Sequence, residues 1–162
     1  MASRRSGHSI SSLRRAYRIA DRRHKIFEGE GAATFGGRWN SPGRRVIYAA
    51  ETYAGAMLEV LVNSNIGRVP KHHGWIEIVV GDDVSIEEVD PRKVRQWDAP
   101  GQRASRMFGD KWHDEMRSVV LIVPSAVVRA ELNVVINQEH PEFPKLRASQ
   151  AKPVVWDERL FR

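Results

Sequence analysis

The stretch Gly36-Gly37-Arg38-Trp39-Asn40-Ser41-Pro42-Gly43 leaves its backbone little choice. Paired glycines admit dihedral angles closed to other residues, and Asn-Ser-Pro-Gly is turn chemistry at every position. An arginine and a tryptophan are therefore held between two tight turns. The next residues are as constrained. Val46-Ile47-Tyr48-Ala49-Ala50 reads as a short apolar strand, and Thr52 is suited to cap a helix carrying Ala54, Met57, Leu58, Leu61 and Val62 at helical spacing. Glu59 follows Leu58, about 100° further round the helix and so at the margin of that apolar stripe. Arg38, Tyr48 and Glu59 are thus borne by three consecutive pieces of backbone.

Around this segment the pattern is mostly strand. Residues 16–20 form a semi-apolar strand in which Arg18 points away from the face of Tyr17 and Ile19. Residues 28–37 hold too much glycine for a helix and read as a loop. The sequence then predicts strands at 75–80, 86–91, 118–123 and 132–137, with an edge strand at 154–156. Residues 102–117 read as a helix with Met107, Phe108, Trp112 and Met116 inward and Gly109 as a break. Strands outnumber helices without a regular alternation. The class is therefore α+β: a twisted mixed sheet with flanking helices.

Composition removes several functions. At 162 residues and 41% hydrophobic, the chain suits one domain, residues 13–162, behind an arm at residues 1–12. Residues 1–25 hold eight basic side chains against Asp21, while the remainder is close to neutral. The net charge of +6 therefore lies in the first 25 residues, an arm and the start of the domain. A basic nucleic-acid-binding or regulatory module without catalysis is the alternative reading that this arm supports. No apolar run is long enough for a membrane span and no secretory leader is evident, so a cytoplasmic protein is expected. Without cysteine there are no thiol nucleophiles or thiolate metal sites, and His72-His73 lacks a third ligand at metal spacing. Neither GxGxxG nor GxxxxGK[ST] occurs, and neither Ser118 nor Ser125 lies in GxSxG.

Taken together, Tyr17-Arg18, Gly36-Gly37-Arg38-Trp39-Asn40 with Pro42-Gly43, Tyr48-Ala49, Leu58-Glu59, Ser118, Val123-Pro124-Ser125, and Asn133 to Asn137 before His140-Pro141 resemble the RES domain. The resemblance covers the chain from about Leu13 onward. It implies an ADP-ribosyltransferase-like fold and a toxin of a bacterial toxin–antitoxin pair that uses NAD+ as substrate, with no metal. By motif the family's arginine falls on Arg38, its tyrosine on Tyr48, its glutamate on Glu59 and its serine on Ser118. Arg18 is a second candidate arginine, and Ser125 an alternative serine placed below Ser118. On this reading Arg38 and Arg18 bind phosphate or ribose and Tyr48 stacks on nicotinamide. Glu59 stabilises the cation left when the nicotinamide–ribose bond breaks, and Ser118 orients it. The acceptor of ADP-ribose is water, phosphate or a protein. The implied partner is an Xre-like antitoxin with a helix-turn-helix part, through which any DNA contact is made, and a C-terminal segment that blocks the pocket.

Overall fold

The computed structural model describes residues 13–63 and 67–162; the basic arm at 1–12 lies outside them. The elements are β1 (Arg15–Asp21), α1 (Glu30–Phe35), β2 (Val46–Ala50), α2 (Tyr53–Asn63), β3 (His73–Val79), β4 (Ile86–Glu88), α3 (Arg103–Asp114), β5 (Val120–Pro124), β6 (Leu132–Asn137), β7 (Arg147–Ala148) and β8 (Lys152–Pro153). Eight strands form one sheet in the order β4-β5-β6-β2-β1-β3-β7, with β8 also against β3. Only β4 and β5 run parallel, so the α+β class with a mixed sheet is as the sequence predicts.

The sheet has a seam. β1 pairs with β3 over its whole length and β2 with β6 over all five of its residues, but β1 and β2 share a single paired position, Tyr17 opposite Ala50. Beyond it the two strands diverge. Alternation along the strands sends Ile47, Ala49, Val120, Ile122, Val134 and Ile136 into a core on one face. The other face carries two smaller clusters. Trp39, Trp112, Leu121, Val123 and Val135 pack with Tyr48 below α3, while Ile19, Ala50, Ala56 and Trp156 pack with Tyr17 and Trp75 below α2.

Four local expectations are corrected. Residues 30–35 are helical, because most of the glycines flank the helix and Asn40 Nδ2 donates to Ala32 O from the loop beyond it. On α2 the inward side chains are Tyr53, Ala56, Met57, Val60 and Leu61, whereas Leu58 and Val62 are exposed. Gly109 does not interrupt α3. It is buried where the helix meets Trp39, and a Cβ there would stand 1.7 Å from the Trp39 carbonyl oxygen; Met107 and Met116 face outward. The last edge pairing is Lys152–Pro153 against β3, just before the predicted residues 154–156.

Candidate functional site

Thr52 begins the site by fixing where α2 starts: its Oγ1 accepts the Gly55 amide at 2.9 Å. With one side of α2 committed to the β1–β3 half of the sheet, the flank bearing Gly55 and Glu59 faces the connection between β5 and β6. Glu59 Oε1 accepts hydrogen bonds there from Asn133 Nδ2 at 2.7 Å and Ser125 Oγ at 3.2 Å. Ser125 is buried, and its Oγ accepts from the Val128 amide at 2.9 Å, which turns the hydroxyl proton toward Glu59. No cation among the described residues pairs with Glu59. A half-buried carboxylate is thus oriented by two neutral donors and keeps its charge uncompensated.

The glycine loop is built on the neighbouring strand. Gly36 has φ +74, a conformation suited to glycine, and Gly37 lies so close to the Tyr48 ring that a Cβ would meet the phenol oxygen at 2.6 Å. Tyr48 Oη accepts the Trp39 amide at 3.0 Å and donates to Asn40 Oδ1 at 2.6 Å. Burial pushes the phenol pKa up, so the hydroxyl stays protonated and able to donate. Trp39 stacks on Trp97, with ring centroids 6.3 Å apart.

Held on this loop, Arg38 donates through Nη1 to Trp97 O and Ala99 O, both at 3.1 Å; it forms no salt bridge among the described residues, though it acts electrostatically on Asp98. Arg106 of α3 approaches from the other side, Nε donating to Gly37 O at 2.8 Å. Both guanidiniums act electrostatically on the Tyr48 hydroxyl. Sequence reasoning missed Arg106, since an arginine in an amphipathic helix carries no signal of its own.

The Arg38 loop and the Glu59 cluster are tied to the same connection between β5 and β6. Between the two carbonyls that hold Arg38 lies Asp98, which pairs at 2.7 Å with Arg129 on the same β5–β6 connection that supplies Ser125. On the sheet beneath, Tyr48 is opposite Val135 and Ala50 opposite Asn133, so Tyr48 and Asn133 are diagonal neighbours on one face. Two clusters result: Glu59 with Ser125 and Asn133, and the Arg38 loop with Tyr48 and Arg106.

Two expected residues stand elsewhere. Arg18 lies in the seam, Nε donating to Ile26 O at 2.7 Å and Nη1 to Tyr48 O at 2.9 Å. Loss of solvent lowers its pKa to about 10. Ser118 is buried at the far end of β5, roughly 20 Å along the strand from Ser125. Its hydroxyl accepts Trp112 Nε1 and donates to Val120 O, each at 2.7 Å, so both its bonds join core elements. Among the described residues no group of three His, Asp or Glu side chains could hold a metal ion, and no helix is long and apolar enough to cross a membrane.

The sequence matches the RES domain over residues 15–157. It is 38% identical over 138 residues to the Prs ADP-ribosylating toxin of Sphingobium sp. (strain YBL2), covering 83% of this chain and 86% of that protein. It is 33% identical to Toxin Res of Yersinia enterocolitica, over 89% of this chain and 97% of the relative. A crystal structure of the M. tuberculosis MbcT–MbcA toxin–antitoxin complex has the same fold, with a TM-score of 0.69 over 86% of this chain and 82% of that chain at 20% identity. The α+β fold with a mixed sheet expected from the sequence is shared with that structure.

Proposed function

This chain belongs to the RES domain family, and from that premise we propose that it is a cytoplasmic toxin that breaks the nicotinamide–ribose bond of NAD+ and passes ADP-ribose to a protein. The observation that carries the reading is the Glu59 carboxylate, oriented by Ser125 and Asn133 and without a cation among the described residues; the reading sets the NAD+ cleft between this cluster and the guanidiniums of Arg38 and Arg106. A planar guanidinium binds phosphate through parallel hydrogen bonds, so Arg38, with Arg106 beside it, suits the pyrophosphate. When nicotinamide leaves with the electron pair of the broken bond, positive charge develops on the ribose. A fixed carboxylate stabilises that charge without having to reorganise. The acceptor attacks the ribose carbon and releases its proton to solvent.

Ser125 and Asn133 hold Glu59, which gives Ser125 the orienting role that the family resemblance put on Ser118. Tyr48 supports the loop and borders the nicotinamide. A protein acceptor is favoured over water or phosphate by the 38% identity to a relative named for ADP-ribosylation. An Xre-like antitoxin that covers the cleft, and brings the only DNA contact, is the partner of this reading, in keeping with a neighbour of the same fold solved as a toxin–antitoxin complex.

The test is Glu59→Gln, which keeps shape and removes charge. NAD+ consumption is expected to fall by about a hundredfold or more with the circular-dichroism spectrum unchanged. Turnover at the wild-type rate would remove Glu59 from the chemistry. Labelled NAD+ incubated with cell extract distinguishes the acceptors: label in a protein band supports transfer, and free ADP-ribose alone supports hydrolysis.

A further inference from the structure

Building on the transfer reaction above, we propose that a hollow beside the first turn of α2 is a docking subsite for an arginine side chain of the protein that receives ADP-ribose. The hollow has a volume of about 550 Å³ and is lined by Tyr17, Tyr53 and Trp75, with Glu51, Thr52, Pro153 and Val155 at its sides. Of these only Thr52, the cap of α2, also belongs to the site around Glu59.

Its chemistry selects a cation. Tyr53 packs edge-on against Trp75 with centroids 5.1 Å apart, and Tyr17 against Tyr53 at 6.4 Å. Aromatic faces carry negative quadrupole density and attract positive charge. The chain itself shows the attraction, since Lys152 Nζ stands 5.3 Å from the Trp75 centroid at the rim.

One carboxylate, Glu51, lines the hollow and a second, Glu131, is held by its wall residue Thr52; neither has a cation among the described residues. Glu51 accepts the Leu132 amide at 2.9 Å and Glu131 accepts Thr52 Oγ1 at 2.7 Å; no ion pair forms at either among the described residues. Acids without a cation leave this corner ready for a basic partner. A guanidinium suits it better than an ammonium, because it can stack on a ring while donating two bonds to a carboxylate.

The location gives the subsite its role. Gly55, one turn before Glu59 on α2, has its Cβ position 3.4 Å from Glu131 Oε2, and two residues beyond Glu131 lies Asn133, which holds Glu59. An arginine seated in the hollow therefore brings the residues flanking it in the acceptor to the mouth of the cleft.

The experiment is a nuclear magnetic resonance titration of the intact protein with the peptide acetyl-Gly-Arg-Gly-amide, and with the same peptide carrying citrulline, the neutral isostere. The arginine peptide is expected to shift the Trp75 indole signal saturably while the citrulline peptide does not. Glu51→Gln, whose amide oxygen can still accept the Leu132 amide, is expected to weaken binding by about threefold to tenfold, and Lys152→Ala to tighten it. Equal response to both peptides, no saturable shift, or an unchanged affinity in Glu51→Gln would overturn the subsite. NAD+ is titrated in parallel and reports on resonances of Arg38 and Tyr48. Loss of that response alone would count against the NAD+ reading, and loss of the peptide response alone against the docking subsite.

Discussion

Ser118 and Ser125 show how far a residue's role depends on its neighbours. Both lie at the ends of one apolar strand, and both are buried. Ser125 donates to the carboxylate of Glu59, whereas Ser118 joins the indole of Trp112 to the backbone of Val120. Ser118→Ala would strand a buried N–H and cost about 1–3 kcal/mol, seen as a lowered melting temperature. On the proposed function, NAD+ turnover per folded molecule would remain. Ser125→Ala is expected to do the reverse, lowering turnover about tenfold or more while shifting the melting temperature less. Gly109 is decided in the same way. A methyl group there would collide with the carbonyl of Trp39, backbone that cannot swing aside, so Gly109→Ala is expected to destabilise by about 3 kcal/mol or more in urea unfolding.

At the scale of elements, α2 carries three duties on three sides. Its inward face closes the α2 cluster, its Gly55–Glu59 flank meets the β5–β6 connection, and its remaining side leaves Leu58 and Val62 exposed. Phe35, which ends α1 beside the glycine loop, and Met107, next to Arg106 on α3, are exposed as well. These exposed apolar side chains are candidates for the surface that an antitoxin would cover. On the antitoxin reading, Phe35→Glu and Val62→Glu are expected to weaken neutralisation, measured as the antitoxin concentration that halves NAD+ consumption, with the rate of the free protein unchanged. An unaltered neutralisation curve in both variants would place the antitoxin elsewhere.

For the molecule as a whole, the seam between β1 and β2 is the weak line of the sheet. One paired position joins them, and Arg18 bridges the gap through two carbonyl oxygens. Farther out, Arg44 ties the loop to α3. It bonds Asp114 through Nε at 2.8 Å and Nη2 at 2.7 Å and holds that carboxyl at about 2, below its ordinary 3.8. A carboxyl depressed by folding adds stability above its unfolded pKa, and the contribution is lost as pH falls through roughly 4 to 2. Asp114 is half exposed, so the effect is modest. The urea midpoint of Asp114→Asn is expected to fall less between pH 5 and pH 2.5 than that of the wild type.

The sequence alone determined the features that are local in origin. The turns at 36–43, the strand at 46–50, the cap at Thr52 and the α+β class follow from backbone chemistry and periodicity, which act over a few residues. It also supplied the residue types of the site, through a pattern spread across the chain. Tertiary structure decided which of them meet. The choice between two serines, the inclusion of Arg106 and Asn133, and the use of Arg18 as a seam bridge depend on strand register and on which face of α2 is covered. The glycines of α1 and α3 likewise needed their neighbours, because a helix is stabilised by what it packs against as well as by its own residues. Contacts between residues far apart in sequence leave no local period to read, and the Glu59 cluster is assembled from such contacts.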